Sequence, residues 1–202
     1  METVKMPPPK KIATRDAIIS TALEQAVVIG LEGISLGGVA AAVGMSKSGL
    51  FAHFKSKNEL QLSIIDAALN LFQMVVLAPA MKSTKGMPRL RALYRHYLDW
   101  MAGSSGLATC PFTVFIQEYD GRPGAIRDLL VKEELRWRET FSKVASEAIL
   151  SEKLPNSLNP AQITFELIGA AFSYQVSHGL LAEKNARQHA LSAFDRVFSK
   201  PA

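Results

Sequence analysis

Helical periodicity dominates this sequence. Apolar residues recur at intervals of three and four along most of the chain, which is the spacing of one face of an α-helix. No segment shows the alternation of apolar and polar residues between hairpin turns that a strand requires. The sequence therefore predicts an all-α protein. Capping and helix-breaking residues divide it into about nine helices, at approximately 12–29, 36–43, 47–54, 58–79, 88–102, 110–119, 124–150, 160–182 and 186–199.

A linker divides the predicted helices into two domains. Residues 82–88 combine lysine, serine, threonine, glycine and proline, a composition typical of a connecting segment. Residues 1–11 contain three prolines and predict a flexible N-terminal arm. We expect an N-terminal domain at 12–57 and a larger C-terminal domain at 58–202. The helix at 58–79 is shared between them, and a Ser-x-x-Glu capping box marks its start.

Composition narrows the class of protein. With 202 residues, of which 48% are hydrophobic, the chain has enough apolar surface for one or two cores. Its longest nearly apolar stretch, Leu71–Met81, is shorter than the roughly 18–20 residues of a spanning helix, and the N-terminus lacks the apolar run of a secretory signal. The single cysteine, Cys110, excludes an internal disulfide and fits a reducing compartment. We therefore expect a cytoplasmic protein without a membrane partner.

Positive charge is concentrated near the N-terminus. The net charge is +5, and residues 1–57 contribute +3 of it. This distribution favours an anionic partner, such as a nucleic acid, for the N-terminal domain. Lys5, Lys10 and Lys11 either follow phosphate groups as part of an arm or belong to a solvated tail.

Two short predicted helices, joined by a tight glycine turn, follow the longer first helix. Ser35 and Ser46 are N-cap residues for these helices, and Gly44 ends the first of the two. The arrangement is that of a helix-turn-helix, whose second helix enters the major groove of DNA. Leu50 and Phe54 are the apolar anchors of that helix. The residues left facing outward, which can reach base edges and phosphates, are Lys47, Ser48, Gly49, Phe51 and Ala52.

The segment Gly44–Leu60 resembles the recognition helix and the start of the fourth helix of the tetracycline-repressor (TetR) family of bacterial transcription regulators. The similarity extends back to about Arg15, and the segment Cys110–Gly124 is similar to one uncharacterised subgroup. The resemblance implies a homodimer whose N-terminal domains bind a palindromic operator in double-stranded DNA. It also implies C-terminal domains that bind a small-molecule effector and thereby release the DNA.

The resemblance also implies roles for individual residues. By position in the motif, base and backbone contacts come from Lys47, Ser48, Gly49, Phe51 and Ala52, a phosphate contact from His53 and a phosphate anchor from Lys57. Phe51 lacks the hydroxyl of the tyrosine usual in the family, so one phosphate hydrogen bond is expected to be missing. Gly37 and Gly38 lie in the short helix before the turn, where they cost roughly 1 kcal/mol each and predict a pliable helix.

The predicted helix at 160–182 is apolar on nearly every side, so it needs two packing partners. One is its own domain. We expect the other to be a second copy of the chain, with the last helix completing a symmetric four-helix interface. The predicted dimer residues are Phe165, Ile168, Gly169, Phe172, Ser173, Val176, Leu191, Phe194 and Phe198.

Aromatic residues are concentrated in the C-terminal domain. They predict a mainly apolar effector pocket between the helices at 88–102, 110–119, 124–150 and 160–182, although each aromatic residue could instead belong to an ordinary core. The predicted lining is Tyr94, Tyr97, Trp100, Phe112, Phe115, Trp137, Phe141 and Phe172, with Gln117, Glu118 and His178 as orienting polar groups.

Other chemistry has little support in the sequence. Cys110 lies near a predicted helix start, where it is either a redox-sensitive thiol or an inert core residue. The four histidines show no ligand spacing with cysteine or carboxylates, so neither a metal nor another cofactor is predicted. Motifs for a catalytic nucleophile, a dinucleotide and a phosphate loop are missing, so we do not expect an enzyme. The alternative function is a DNA-binding architectural or protein-interaction module without an effector.

Overall fold

A computed structural model describes residues 15–155 and 157–199, and this part of the chain forms helices and connecting loops without β-strands. The all-α prediction is confirmed. Within the described residues the helices are α1 (Arg15–Gly33), α2 (Leu36–Ala42), α3 (Lys47–His53), α4 (Lys57–Met81), α5 (Met87–Met101), α6 (Pro111–Tyr119), α7 (Ala125–Ser151), α8 (Pro160–Gln175) and α9 (Ala186–Val197). A π-helical segment, Gln73–Leu77, lies within α4, and another, Val176–Leu180, extends α8. The predicted arm at residues 1–11, with Lys5, Lys10 and Lys11, lies outside the described residues.

Serine side chains cap α2, α3 and α4. Each hydroxyl accepts a hydrogen bond from the N–H three residues later, at 3.0–3.1 Å: Ser35 from Gly38, Ser46 from Gly49 and Ser56 from Glu59. These bonds satisfy N–H groups that have no acceptor within the first helical turn. The predicted capping box differs in one respect, because the carboxylate of Glu59 accepts from the N–H of Lys55, at 2.9 Å, and not from the cap residue itself.

Helix α1 extends beyond its predicted end. The sequence predicts that Gly30 ends this helix, whereas in the structure the chain leaves helical geometry at Gly30, with φ 76° and ψ 164°, and then resumes it as far as Gly33. The physical reason lies in α6, where the carboxylate of Glu118 accepts hydrogen bonds from the N–H groups of Leu31 and Glu32. An acidic side chain from the C-terminal domain therefore caps the resumed segment of α1.

The N-terminal domain is a three-helix unit. Helix α2 packs against both α1 and α3, and the turn between α2 and α3 contains Gly44 with φ 70°. Val39, Leu50 and Phe54 are fully buried in its core. This is the helix-turn-helix arrangement that the spacing of capping and apolar residues predicts.

Helix α4 packs against both α1 and α5, so it belongs to both domains. Its 25 residues contain an 18-residue window with a mean hydropathy of 1.7, so by length and composition the helix could cross a membrane, a property that the shorter stretch Leu71–Met81 did not predict. Its apolar face begins at Leu60 and continues through the π-helical segment. Leu60, Ile64 and Ala68 are fully buried against neighbouring helices, and 33% of the apolar window is buried in all.

The C-terminal domain is a bundle around α5. Helices α7 and α8 pack against α5 and against each other, and α9 packs against α8. Helix α8 is apolar on two sides, as its sequence indicates: Ile163 and Leu167 face the bundle core, whereas Phe165 is 67% exposed. Helix α6 packs against α7 on one side and α1 on the other, so it connects the bundle to the N-terminal domain.

Candidate nucleic-acid interface

Helix α3 presents a small exposed surface, which we call the recognition face: Lys47, Ser48, Phe51 and Ala52. Gly49 and His53, which the sequence also pointed to, are half-buried. The opposite side of α3 is anchored in the core by Leu50, and Phe54 is buried immediately after the helix. The predicted DNA-binding residues of α3 are therefore brought together on one short helix, whose opposite side is packed into the domain core.

The recognition face combines one positive charge with apolar surface. Phe51 is 43% exposed, and the Lys47 Nζ atom lies 6.0 Å from the centre of its ring. The Ser48 hydroxyl is 3.1 Å from that of the cap residue Ser46, so one of its hydrogen bonds is made within the protein. This face can offer an ammonium donor, a hydroxyl and an aromatic ring to DNA.

Lys57, at the start of α4, makes contacts within the protein. Its Nζ atom donates to the backbone oxygen of Glu32 at 2.6 Å and to the Glu32 carboxylate at 2.9 Å. The Lys57 side chain is 39% exposed. Its charge is thus partly neutralised before any phosphate approaches, unlike that of Lys47.

Lys57 belongs to a polar cluster between the two domains, which we call the junction network: Glu32, Lys57, Gln61, Glu118 and Tyr119. The Glu118 carboxylate accepts from the N–H of Leu31 at 2.7 Å and from that of Glu32 at 3.0 Å. The Gln61 amide donates to the backbone oxygen of Leu31 at 2.8 Å. These bonds join the kinked end of α1 to α4 and α6.

The junction network also shifts two pKa values. The Tyr119 hydroxyl donates a short hydrogen bond to the Glu32 carboxylate. This bond, followed by the hydrogen bond from Lys57, lowers the pKa of Glu32 from 4.5 to about 2. Burial and the Glu32 carboxylate raise the pKa of Tyr119 well above its usual value, so its hydroxyl remains protonated and donating. Glu32 is therefore ionised and Tyr119 neutral at neutral pH.

A second group of residues forms the aromatic cluster: Phe72, Tyr97, Trp100, Phe112, Trp137 and Phe141. Phe72, on α4, lies at its centre, with ring centres at 5.0 Å from Trp137, 5.4 Å from Trp100 and 6.1 Å from Phe112. Tyr97 and Phe141 both contact Trp137, at 4.9 and 5.4 Å. Four of these contacts have the edge-to-face geometry that aromatic rings favour.

The aromatic cluster contains a buried polar atom that lacks a well-formed hydrogen bond. Trp137 is 8% exposed, and its indole Nε1 interacts with the Tyr97 hydroxyl but makes no hydrogen bond of standard geometry within the described structure. An unpaired buried donor costs about 1–3 kcal/mol, so this N–H favours an acceptor from outside. Glu134, which lies one turn before Arg138 on α7, interacts electrostatically with Tyr97. Burial raises the pKa of the Glu134 carboxyl group.

The structure separates several residues that the sequence assigned to the pocket. Tyr94 stacks on Phe194 at 5.4 Å and donates to the backbone of Ala190 at 3.2 Å, so it joins α5 to α9. Glu118 lies in the junction network, where it caps the end of α1. Gln117 and His178 are exposed, and His178 stacks on Tyr174. Phe115 is buried and Phe172, on α8, is half-buried, but neither has a ring contact with the aromatic cluster in the described structure.

The predicted pocket is closed in this structure. Two depressions among the described residues are open grooves elsewhere. One follows the outer side of α7 around Val131 and Leu135, and the other lies beside Met87 and Leu154. The physical reason is that the rings of the aromatic cluster pack directly on one another.

The predicted dimer surface is divided between core and solvent. Ile168 and Phe194 are 2% and 1% exposed, so their side chains pack within their own subunit and not toward a partner. An exposed stripe remains on α8 and its π-helical extension, and we call it the α8 stripe: Phe165, Gly169, Ser173 and Val176. Phe172, Leu191 and Phe198 are half-buried beside the core.

Cys110 is the N-cap residue of α6, as the sequence suggests, but it is buried. Its sulfur accepts a hydrogen bond from the Trp100 Nε1 at 3.1 Å, and burial raises the pKa of the thiol. This environment favours the neutral thiol. Among the described residues, no group of three His, Cys, Asp or Glu side chains is placed to hold a metal ion.

Sequence reasoning missed five residues of these sites: Glu32, Gln61, Phe72, Tyr119 and Glu134. Gln61 is a polar residue at a buried position of α4, between Leu60 and Ile64, and this break in the apolar face was the available signal. Phe72 and Glu134 carry no comparable signal, because a phenylalanine on an apolar helix and a glutamate in a charged one are both ordinary.

Two family profiles match the sequence. The profile described as "Bacterial regulatory proteins, tetR family" matches residues 18–63, and the profile described as "Tetracyclin repressor-like, C-terminal domain" matches residues 86–194. The second match alone spans more than half of the chain. A search of curated proteins finds no significant match.

Solved structures with the same fold include several regulators. A TetR-family transcriptional regulator from Cytophaga hutchinsonii has a TM-score of 0.78 and 17% identity, over 98% of this chain and 100% of that chain. A TetR regulator from Chloroflexus aurantiacus J-10-FL has a TM-score of 0.78 and 18% identity, over 91% of each chain. AibR, solved in complex with isovaleryl coenzyme A and operator DNA, has a TM-score of 0.69 and 22% identity, over 91% of this chain and 97% of that chain.

Proposed function

Because the chain belongs to the tetracycline repressor (TetR) family of DNA-binding transcription regulators, we propose that it is a homodimeric repressor released from a palindromic operator by a small, mainly apolar ligand. The observation that carries the proposal is the recognition face, an exposed surface on a firmly anchored second helix of a helix-turn-helix. As a DNA-binding regulator without a catalytic role, the protein acts in the cytoplasm.

The α8 stripe supports the homodimer. Phe165 and Val176 are 67% and 50% exposed, on the same side of one helix as Gly169 and Ser173. Small residues between large apolar ones allow two helices to approach closely, and a two-fold axis brings the same stripe of each subunit together. Two recognition faces related by that axis read the two halves of a palindrome.

The aromatic cluster supports an apolar effector. Its rings supply the apolar lining of a ligand site, and the Trp137 Nε1, which lacks a well-formed hydrogen bond, supplies a donor that orients a ligand. Because the cluster is closed, the ligand must bind a conformation in which the rings have separated. The structural relative AibR was solved in complex with isovaleryl coenzyme A and operator DNA, and this supports a small-molecule effector for the present chain.

Helix α6 connects the two sites. Phe112, in its first turn, lies in the aromatic cluster, whereas Glu118, in its last turn, caps the end of α1. A ligand that displaces Phe112 therefore moves the cap of α1, and with it the orientation of the N-terminal domain. The two packings of α6 are the two states between which the ligand shifts the population.

One observation favours a second candidate function. Two grooves of the described surface lie outside the aromatic cluster, whose rings pack directly on one another. A DNA-binding architectural or protein-interaction module would need no effector site at all.

Selection of bound sequences from a random double-stranded DNA pool, at a stated salt concentration, tests the proposal. We expect enrichment of a palindrome. The enriched sequence then serves as the probe in a titration with apolar acyl and ring compounds, and we expect one of them to weaken operator binding. A palindrome that no compound affects would favour the architectural module, and binding without enrichment would contradict the repressor.

Substitution of lysines tests the interface. Lys47→Ala is expected to lower affinity, relax sequence preference and reduce the slope of log K against log salt by about 1. Lys57→Ala is expected to weaken binding to all sequences, with a smaller change in slope, because Glu32 already pairs with its ammonium group. Lys143→Ala, an exposed change on α7, is the control. Equal affinities for all three variants would contradict the assignment.

A further inference from the structure

We propose that Phe51 reads thymine through its 5-methyl group, so that each half of the operator contains a thymine in contact with the Phe51 ring. This inference rests on the proposed function and specifies the chemistry of the DNA that the recognition face accepts. The observation that carries it is the exposure of a large apolar side chain on the recognition face of α3.

The composition of α3 limits how it can distinguish bases. Arginine, asparagine and glutamine, which form paired hydrogen bonds to guanine or adenine, do not occur between Lys47 and His53. Ser48 makes one hydrogen bond to Ser46, and a serine hydroxyl accepts or donates to any base pair. Hydrogen bonding from α3 therefore supplies little sequence discrimination beyond that of Lys47.

Phe51 supplies the missing discrimination. Its exposed ring contacts the Lys47 ammonium group at 6.0 Å, and its aromatic contacts in the described structure include no other ring. The major groove contains one apolar group, the thymine 5-methyl, and burial of apolar surface is the interaction that a phenylalanine ring provides. Ala52, exposed beside it, extends the same apolar surface.

The position of Lys47 beside Phe51 limits where the thymine can lie. Lys47 and Phe51 are one turn apart on the same side of α3, so a DNA group bound by Lys47 lies next to the Phe51 ring. Lys47 can bind guanine O6 and N7 or a phosphate oxygen. The thymine is therefore expected within one or two base steps of the Lys47 contact.

The experiment replaces each thymine of the selected operator, one at a time, by deoxyuridine, which removes only the methyl group. Affinities are measured by fluorescence anisotropy at one salt concentration for the wild-type protein, for Phe51→Ala and for Val28→Ala. Val28 is the matched control, since it is a 72% exposed apolar residue of the same domain on α1. In the wild type we expect one position in each half-site where deoxyuridine weakens binding about fourfold, the worth of one buried methyl group.

The variants separate this inference from the proposed function. Phe51→Ala should bind thymine and deoxyuridine operators equally at that position, whereas Val28→Ala should retain the fourfold ratio. The inference is overturned if no thymine is sensitive, or if Phe51→Ala keeps the wild-type ratio, even though a palindrome was enriched. Absence of an enriched palindrome in the initial selection would overturn the proposed function and this inference together.

Discussion

The recognition face and the aromatic cluster contain the same kind of side chain in opposite states. Phe51 is 43% exposed on a seven-residue helix, whereas Phe141 is fully buried among other rings. The first surface is complete before its partner arrives, because its residues already face solvent on an anchored helix. The second must lose ring contacts before it can accept a ligand. In the proposed function, DNA binding therefore uses a preformed surface, and effector binding at the aromatic cluster requires a change of packing.

The same substitution in both regions should give the largest contrast. Phe141→Ala is expected to lower the free energy of unfolding by about 3–5 kcal/mol, because it leaves a cavity in a closed core. Phe51→Ala should change it by less than about 0.5 kcal/mol while it alters DNA binding. Urea unfolding followed by circular dichroism measures both. A small loss for Phe141→Ala would indicate that the aromatic cluster is already loosely packed.

The proposed connection between the recognition face and the aromatic cluster passes through the kink at Gly30. Its φ of 76° strains any other residue, and a Cβ atom there would lie 2.7 Å from a Glu118 carboxylate oxygen. Gly30→Ala is expected to cost about 2–4 kcal/mol in unfolding free energy. Gly37→Ala is the control, since no atom lies within 4 Å of its Cβ position, and it should be neutral or stabilising by up to about 1 kcal/mol. Equal effects would show that the kink in α1 is not maintained in solution.

A more selective change is Glu118→Gln, which keeps the shape of the cap and removes its charge. We expect a loss of about 1 kcal/mol in unfolding free energy, because the bonds to Leu31 and Glu32 lose their charge-assisted character. The response of DNA binding to an effector should weaken as well. Gln117→Ala, an exposed change on the same helix, should alter neither quantity. A wild-type effector response in Glu118→Gln would exclude this cap from the connection.

The smallest expected effect is a dependence on pH. Glu32 has a pKa of about 2 in the folded protein against an ordinary value of 4.5, so its contribution is complete above pH 4.5 and is lost as the pH falls toward 2. The side chain is 42% exposed, so screening limits this contribution to less than about 1 kcal/mol. Comparison of wild-type and Glu32→Gln unfolding between pH 2 and 6 should show a shallower loss in the variant. Parallel curves would contradict the pKa shift.

Local patterns explain why the N-terminal domain was predicted well. The serine caps, Gly44 and the anchors Leu50 and Phe54 lie within one short segment, and each acts on its near neighbours in sequence. The helix-turn-helix could therefore be derived from the amino-acid sequence alone. The kink at Gly30 could not, since Glu118, which stabilises the chain beyond it, lies 87 residues from Leu31.

The C-terminal domain was predicted in outline only, for a related reason. Helical spacing shows which apolar residues share one side of a helix. It does not show which of two apolar sides faces the core. Ile168 and Phe194 were therefore assigned to a dimer surface although they are buried, and Tyr94 and His178 were assigned to one pocket although they lie apart. Phe72 is the centre of the aromatic cluster because α5, α6 and α7 each bring a ring against it, and this arrangement cannot be derived from the sequence of α4 alone.

The cap that Glu118 provides for α1 limits the use of this protein in chimeric biosensors. A fusion of residues before α4 to the C-terminal domain of another regulator would leave the N–H groups of Leu31 and Glu32 without their carboxylate acceptor. In the transplanted domain, the end of α1 would then lose its geometry. The domain would also lose the proposed link through α6 to the effector site. A working exchange must transfer Glu118 and Tyr119 together with the N-terminal domain, so the boundary for engineering crosses α6 and not the linker after α4.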